Sequence, residues 1–451
     1  MTPDIPVFLE RGNIEDFLDK FSACLEADRC GELADIVSEL ATVVNMSDGV
    51  IARAEAELEK GGSPEQYQPI IDKHTALVRF ISESIYARFG TYIDRTPAGS
   101  INILFTDPHF ADAVDATIPL YNRHIFNIWS SGEDPQPLIE KSTERYLKIG
   151  NRFEVQKLYY NRIAYELNTT VQLEPSEVLS HLEPLADRIA GVVLDLAVIT
   201  EITRFATAAN PERFIREQIL IPSDFDNIQA QLLLDLALFK ILVNPSADSP
   251  LRDLTAAITP LGHAEALLDN PEMPQDLQYL KRVAAIRSNT AYLSLIYTHY
   301  LLDLMAGSPD TVDVNEQIFT SYFRNFVDRF HNFTLVVDRD PARSAQDRPE
   351  DQQSLPAYFG AEIAHRYAYA AALLIKAQNV LTSPSERFLQ AKDELLTHIQ
   401  ERFQVGREPH NVAAELFQRA ALVDHTDEAE HKKYHQLLRR LGISLPPIEP
   451  S

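Results

Sequence analysis

Near its C-terminus the chain reads DHTDEAEHKKYH, Asp424 to His435, which places three histidines and four carboxylates within twelve residues. Imidazoles and carboxylates are the ligands with which helical bundles hold divalent metals, and a Glu-x-x-His pair sets both groups on one helix face. Two such pairs occur, Glu362 with His365 and Glu428 with His431, while Glu394 and Glu415 fall on the helices expected between them. With His435 one turn beyond His431, these residues form a candidate di-metal site whose cofactor would be a divalent metal. The pairs sit on the first and last of four helices, which is not the ferritin-like order, and pairs of this kind arise readily by chance. The same stretch also obeys helix-end rules. Asp424 or Thr426 can cap, Asp427, Glu428 and Glu430 suit the positive N-terminus, Glu428 and Lys432 are an i,i+4 pair, and Arg439 and Arg440 suit the other end. A capped terminal helix without a resident cofactor is the favoured reading.

A second set is Asp195, Asp235 and Asp303, each embedded in an apolar helical run. Buried carboxylates are costly unless paired, so three converging ones would mark a catalytic or ion site. Local partners exist for two: His299 lies four residues before Asp303, and Gln231 flanks Asp235. Polar seams are therefore favoured over catalysis.

A third set is the aromatic stripe of IFTSYFRNFVDRFHNF, Ile318 to Phe333. Phe319, Phe323, Phe326 and Phe330 recur at spacings of three and four, so one helix face is apolar and must be covered. The cover is either the protein's own core or a partner segment in a helical groove, and we take these four as the candidate partner-binding residues. Tyr292, Tyr297 and Tyr300 are read as core-edge tyrosines. No phosphate-binding glycine loop, dinucleotide fingerprint, nucleophile elbow, Asp-Asp-x-x-Asp or His-Glu-x-x-His occurs.

The elements that position these residues are helices. Glycine, at only 15 of 451 residues, is too scarce for many hairpins or phosphate-cradling loops, and helix start and stop signals recur along the chain. The reading is all-α, about fifteen helices arranged as antiparallel hairpins in a bundle or α-solenoid-like stack, with little or no β. The strand candidates are 101–105 and 334–337. After a polar, proline-containing stretch at 338–356, four alanine-bearing helices over 357–451 have a tetratricopeptide-like texture, although that repeat's consensus does not recur. The expected division is thus a large helical region over 1–337, a linker, and a C-terminal four-helix region.

Sixty-six acidic against 41 basic side chains give a formal charge of −25, which repels nucleic-acid backbones and anionic lipid but suits a basic or amphipathic protein partner. Cys24 and Cys30, on what reads as one helix, face different ways, and a reducing cytoplasm is expected. No signal-peptide core or membrane-length apolar run is apparent. Together these features favour a non-catalytic cytoplasmic scaffold or adaptor, with a homo-oligomer compatible. The alternatives are an all-α enzyme or ligand-binding protein, and a structural subunit of a larger assembly.

Overall fold

The computed structural model describes residues 11–27, 30–97, 108–170, 173–206, 220–244, 249–271, 273, 276–338, 354–423 and 428–446. Among these it contains fifteen α-helices and no strand. In chain order they are α1 (Arg11–Glu26), α2 (Cys30–Glu59), α3 (Pro64–Arg95), α4 (Pro108–Ser130), α5 (Gln136–Lys148), α6 (Arg152–Thr170), α7 (Pro175–Ala206), α8 (Leu220–Val243), α9 (Ser249–Leu268), α10 (Leu277–Gly307), α11 (Val312–Asp338), α12 (Leu355–Val380), α13 (Glu386–Phe403), α14 (Pro409–Ala420) and α15 (Glu428–Arg440). No described helix is long and apolar enough to cross a membrane.

The chain divides into two compact units at Arg162/Ile163, within α6. The helices on either side of the expected linker, α11 and α12, belong to the same unit. Residues 339–353 lie outside the described ones, and Leu355 and Pro356 are already helical under the cap of Ser354, whose Oγ accepts the Ala357 N–H at 3.3 Å.

In the first unit, apolar faces of α1 to α5 bury Leu18, Phe21, Val37, Ile81, Ile85, Phe89, Tyr121 and Tyr146. Gly90, which can terminate a helix, instead lies inside α3, which runs on to Arg95. The tertiary reason is Arg145 of α5: its guanidinium lies where a Cβ on Gly90 would be. There it donates to Asp94 Oδ2 at 2.9 Å and to the Tyr121 hydroxyl at 3.0 Å, and faces the Tyr86 ring at 5.1 Å. Cys24 and Cys30 stand on two successive helices, α1 and α2, and not on one.

In the second unit α10 packs on α8, α9, α11 and α12, and α12 packs in turn on α14 and α15. From Ile363 to Leu374 every residue of α12 is buried. Ala364, Ala368, Ala371 and Ala372 of α12, with Ala413 and Ala420 of α14, are also buried, and their small side chains let α12 and α14 approach closely. The strand expected at 334–337 is the last turn of α11. Its β-branched preference yields because Phe333 and Val337 continue the buried face, while Thr334 Oγ1 donates back to the His331 carbonyl at 2.8 Å. The other strand candidate, 101–105, lies outside the described residues.

Candidate functional site

The phenylalanine stripe is core. Phe319, Phe323, Phe326 and Phe330 are each at most 1 % exposed, which removes them as a surface for a partner. Phe319 and Phe323 pack on Phe388 of α13, with ring centroids 5.3 and 5.5 Å away. Phe330 meets Tyr367 of α12 edge-on at 4.8 Å. The spacing correctly demanded a cover, and α12 and α13 supply it for Phe319, Phe323 and Phe330, while α10 packs along the same helix.

The metal candidates do not gather. Glu362 accepts from Ser288 Oγ at 2.6 Å and pairs with Arg366 at 2.8 Å. Glu394 lies 3.7 Å from Arg324, and Glu415 pairs with Arg419 at 2.7 Å on its own helix. His435 Nε2 donates to the Pro446 carbonyl at 2.9 Å. The side chain of Glu428, and the expected caps Asp424 and Thr426, lie outside the described residues. Among the described candidates His365 and His431 meet, with Nε2 2.9 Å from Nδ1. No group of three or more histidine, cysteine or carboxylate side chains among the described residues could hold a metal. The described carboxylates Glu362, Glu394 and Glu415 are already held by arginines, which is why their spacing alone misled.

The three aspartates separate as well. Asp195 is exposed on α7, so it is not a buried carboxylate. Asp303 contacts His299 Nε2 at 3.3 Å, the expected local pair, and also the Lys376 ammonium of α12. Asp235 is 3 % exposed on α8, and its partner is not Gln231 but Lys433 of α15, whose Nζ donates to it at 3.0 Å.

Lys433 leads to a buried polar cluster of the second unit. Its Nζ also pairs with Glu430 at 2.6 Å, one turn earlier on α15. Across from it Arg366 of α12 lies with Cζ 3.8 Å over the Tyr292 ring of α10 and donates to Asn289 Oδ1 at 3.2 Å. Asn289 in turn donates to Asn227 of α8 at 2.9 Å. Burial opposes charge on Lys433, but Asp235 and Glu430 outweigh it and hold the ammonium above its ordinary range. Burial raises the Asp235 carboxyl, against the pull of Lys433. Arg366 Nε and Nη1 and the hydroxyls of Tyr292 and Tyr434 have no hydrogen-bond partner among the described residues.

Beside this cluster His365 stacks on Tyr434 at 4.7 Å, and His431 stacks on Phe417 of α14 at 4.1 Å. Burial first, then His431, Lys433 and Arg366, keep His365 well below its ordinary value of 6.5. The local pairs here, Glu362 with Arg366 and Glu430 with Lys433, were visible as i,i+4 and i,i+3 spacings. Their burial together with Asp235, 198 residues from Lys433 along the chain, had no sequence signal. Compared with known protein families, curated proteins and solved structures, the chain matches none.

Proposed function

We propose that this chain is a non-catalytic helical scaffold, resident in the cytoplasm, whose acidic surface receives a basic or amphipathic protein partner. One observation carries the reading. The formal charge is −25, yet the buried carboxylates among the described residues are each matched by a basic side chain. Glu154 pairs with Lys157, Asp226 with His263, Asp235 with Lys433 and Asp253 with Lys240. Among the described residues the excess negative charge is therefore read as surface charge, which would steer cationic partners and turn away nucleic acid.

The experiment is affinity capture from the native host at low and high salt, with metal analysis of untagged protein. A reproducible basic or amphipathic partner that is released by salt is expected. Stoichiometric iron, manganese or zinc that depends on His365 and His431 would overturn the reading.

A second reading, a ligand-binding bundle, is favoured by the unpartnered donors of Arg366, Tyr292 and Tyr434, which call for acceptor oxygens. A thermal-shift series with inorganic phosphate and small carboxylates tests it. Stabilisation that Arg366→Met abolishes would support it, and no shift at millimolar ligand would exclude it.

A further inference from the structure

The contact between His365 and His431 is a hydrogen bond between two imidazoles, 2.9 Å from Nε2 to Nδ1. Such a bond needs one N–H and one lone pair, so at least one ring must be neutral. When both rings carry a proton, two N–H groups face each other, the bond is lost, and two positive charges are left side by side.

The contact joins α15 to α12. Other described groups that hold α15 include the buried Ala429, Tyr434, Leu437 and Leu438, Lys433 reaching Asp235, and Arg440 donating to the Leu242 carbonyl. The groups facing His365 are His431, Lys433 and the stacked Tyr434 from α15, and Arg366 from its own helix. Those facing His431 are His365 from α12, Phe417 from α14 and His435 from α15. Asp235 of α8, Glu430 of α15 and Glu362 of α12 hold the neighbouring cations. With Arg366 and Lys433 positive and these three carboxylates negative, the surroundings tolerate one added proton and not two.

We infer that the paired imidazoles are an acid-released latch: protonation of both undocks α15 from α12 and α14 and uncovers the buried face of α12, while the rest of the second unit stays folded. The sign follows from the neutral form being the docked one. The contribution is complete above pH 6.5, the ordinary imidazole value, and is lost as pH falls below it through the lowered values of the docked rings.

Hydrogen exchange of the full chain between pH 7.5 and 5.0, corrected for intrinsic exchange, reads the latch directly. Protection of 428–440 should fall about ten- to hundredfold over that range relative to α13, since each proton taken up on opening is worth about tenfold per pH unit. In His431→Gln, whose amide can still bond His365 but does not titrate, the fall should shrink by the share of one ring, leaving only that of His365. An unchanged fall in that variant would assign the acid response to Asp235 or Glu430 and overturn the latch. Equal pH dependence of α15 and α13 in the wild-type chain would overturn it too. Should the variant be unstable at every pH, imidazole nitrogen chemical shifts of the wild-type protein decide. Both rings titrating in the window of the exchange change supports the latch, and both rings already protonated at pH 7.5 with 428–440 still protected refutes it.

Discussion

Replacing Lys433 with methionine should cost about 3–5 kcal/mol of stability in the second unit, the usual consequence of leaving a buried charge without its partner. The structure makes the cost asymmetric. The ammonium is 2 % exposed and holds two carboxylates, Asp235 at 3.0 Å and Glu430 at 2.6 Å. Removing Lys433 strands the buried Asp235 carboxylate, whereas Asp235→Leu leaves Lys433 paired with Glu430. The second change should therefore cost less, about 1–3 kcal/mol. The double variant, with both groups apolar, should be more stable than Lys433→Met alone, because no charge is then left unpaired at Asp235. The only tryptophan, Trp129, lies in α4 of the first unit, so its fluorescence would miss the effect. Urea titration read by hydrogen exchange in α8, α12 and α15 is the suitable assay. Equal costs for the two single changes, or additive costs in the double variant, would refute the reasoning.

Three further outcomes are expected. Gly90→Ala should push Arg145 off Asp94 and Tyr121 and destabilise the first unit by about 1–3 kcal/mol, measured by Trp129 fluorescence in denaturant, with Arg145→Met relieving most of the added loss. Phe326→Ala should cost about 3–5 kcal/mol in chemical denaturation as a core cavity, where an exposed docking residue would cost almost nothing. Asp224, raised by burial against the pull of Arg282, should titrate near 6 by carboxyl NMR. Because the raised value favours the protonated form in the fold, its contribution is present below 3.8 and lost as pH rises through about 6, and Asp224→Asn should flatten that part of the stability profile.

The helical class was legible because it rests on local facts: few glycines, caps and apolar residues at three and four. The caps themselves fall elsewhere than expected: Ser354, inside the expected linker, caps α12, and Ser385 rather than Ser383 caps α13, while Gly442 after α15 takes the positive φ of 86° that glycine permits. The pairing of His299 with Asp303 was visible for the same reason, since both lie on one helix face. Where local preference met a distant neighbour it lost. Thr334 to Val337 stayed helical because Phe333 and Val337 had a face to bury, and Gly90 stayed inside α3 because Arg145 crosses it.

The candidate sites depended almost wholly on such distant neighbours. Spacing showed that the phenylalanines needed a cover, but α13 and α12 supplied it from beyond the polar stretch at 338–356. Spacing put Glu362 and His365 on one face, but tertiary packing gave the carboxylate to Arg366 and Ser288 and the imidazole to His431. Asp235 and Lys433 are 198 residues apart, and nothing in either local context marks the other. Periodicity along a helix reports which face is buried, because that is set by 3.6 residues per turn. Which side chain meets it there is decided only when the helices pack, because that choice is made by residues the local sequence does not contain.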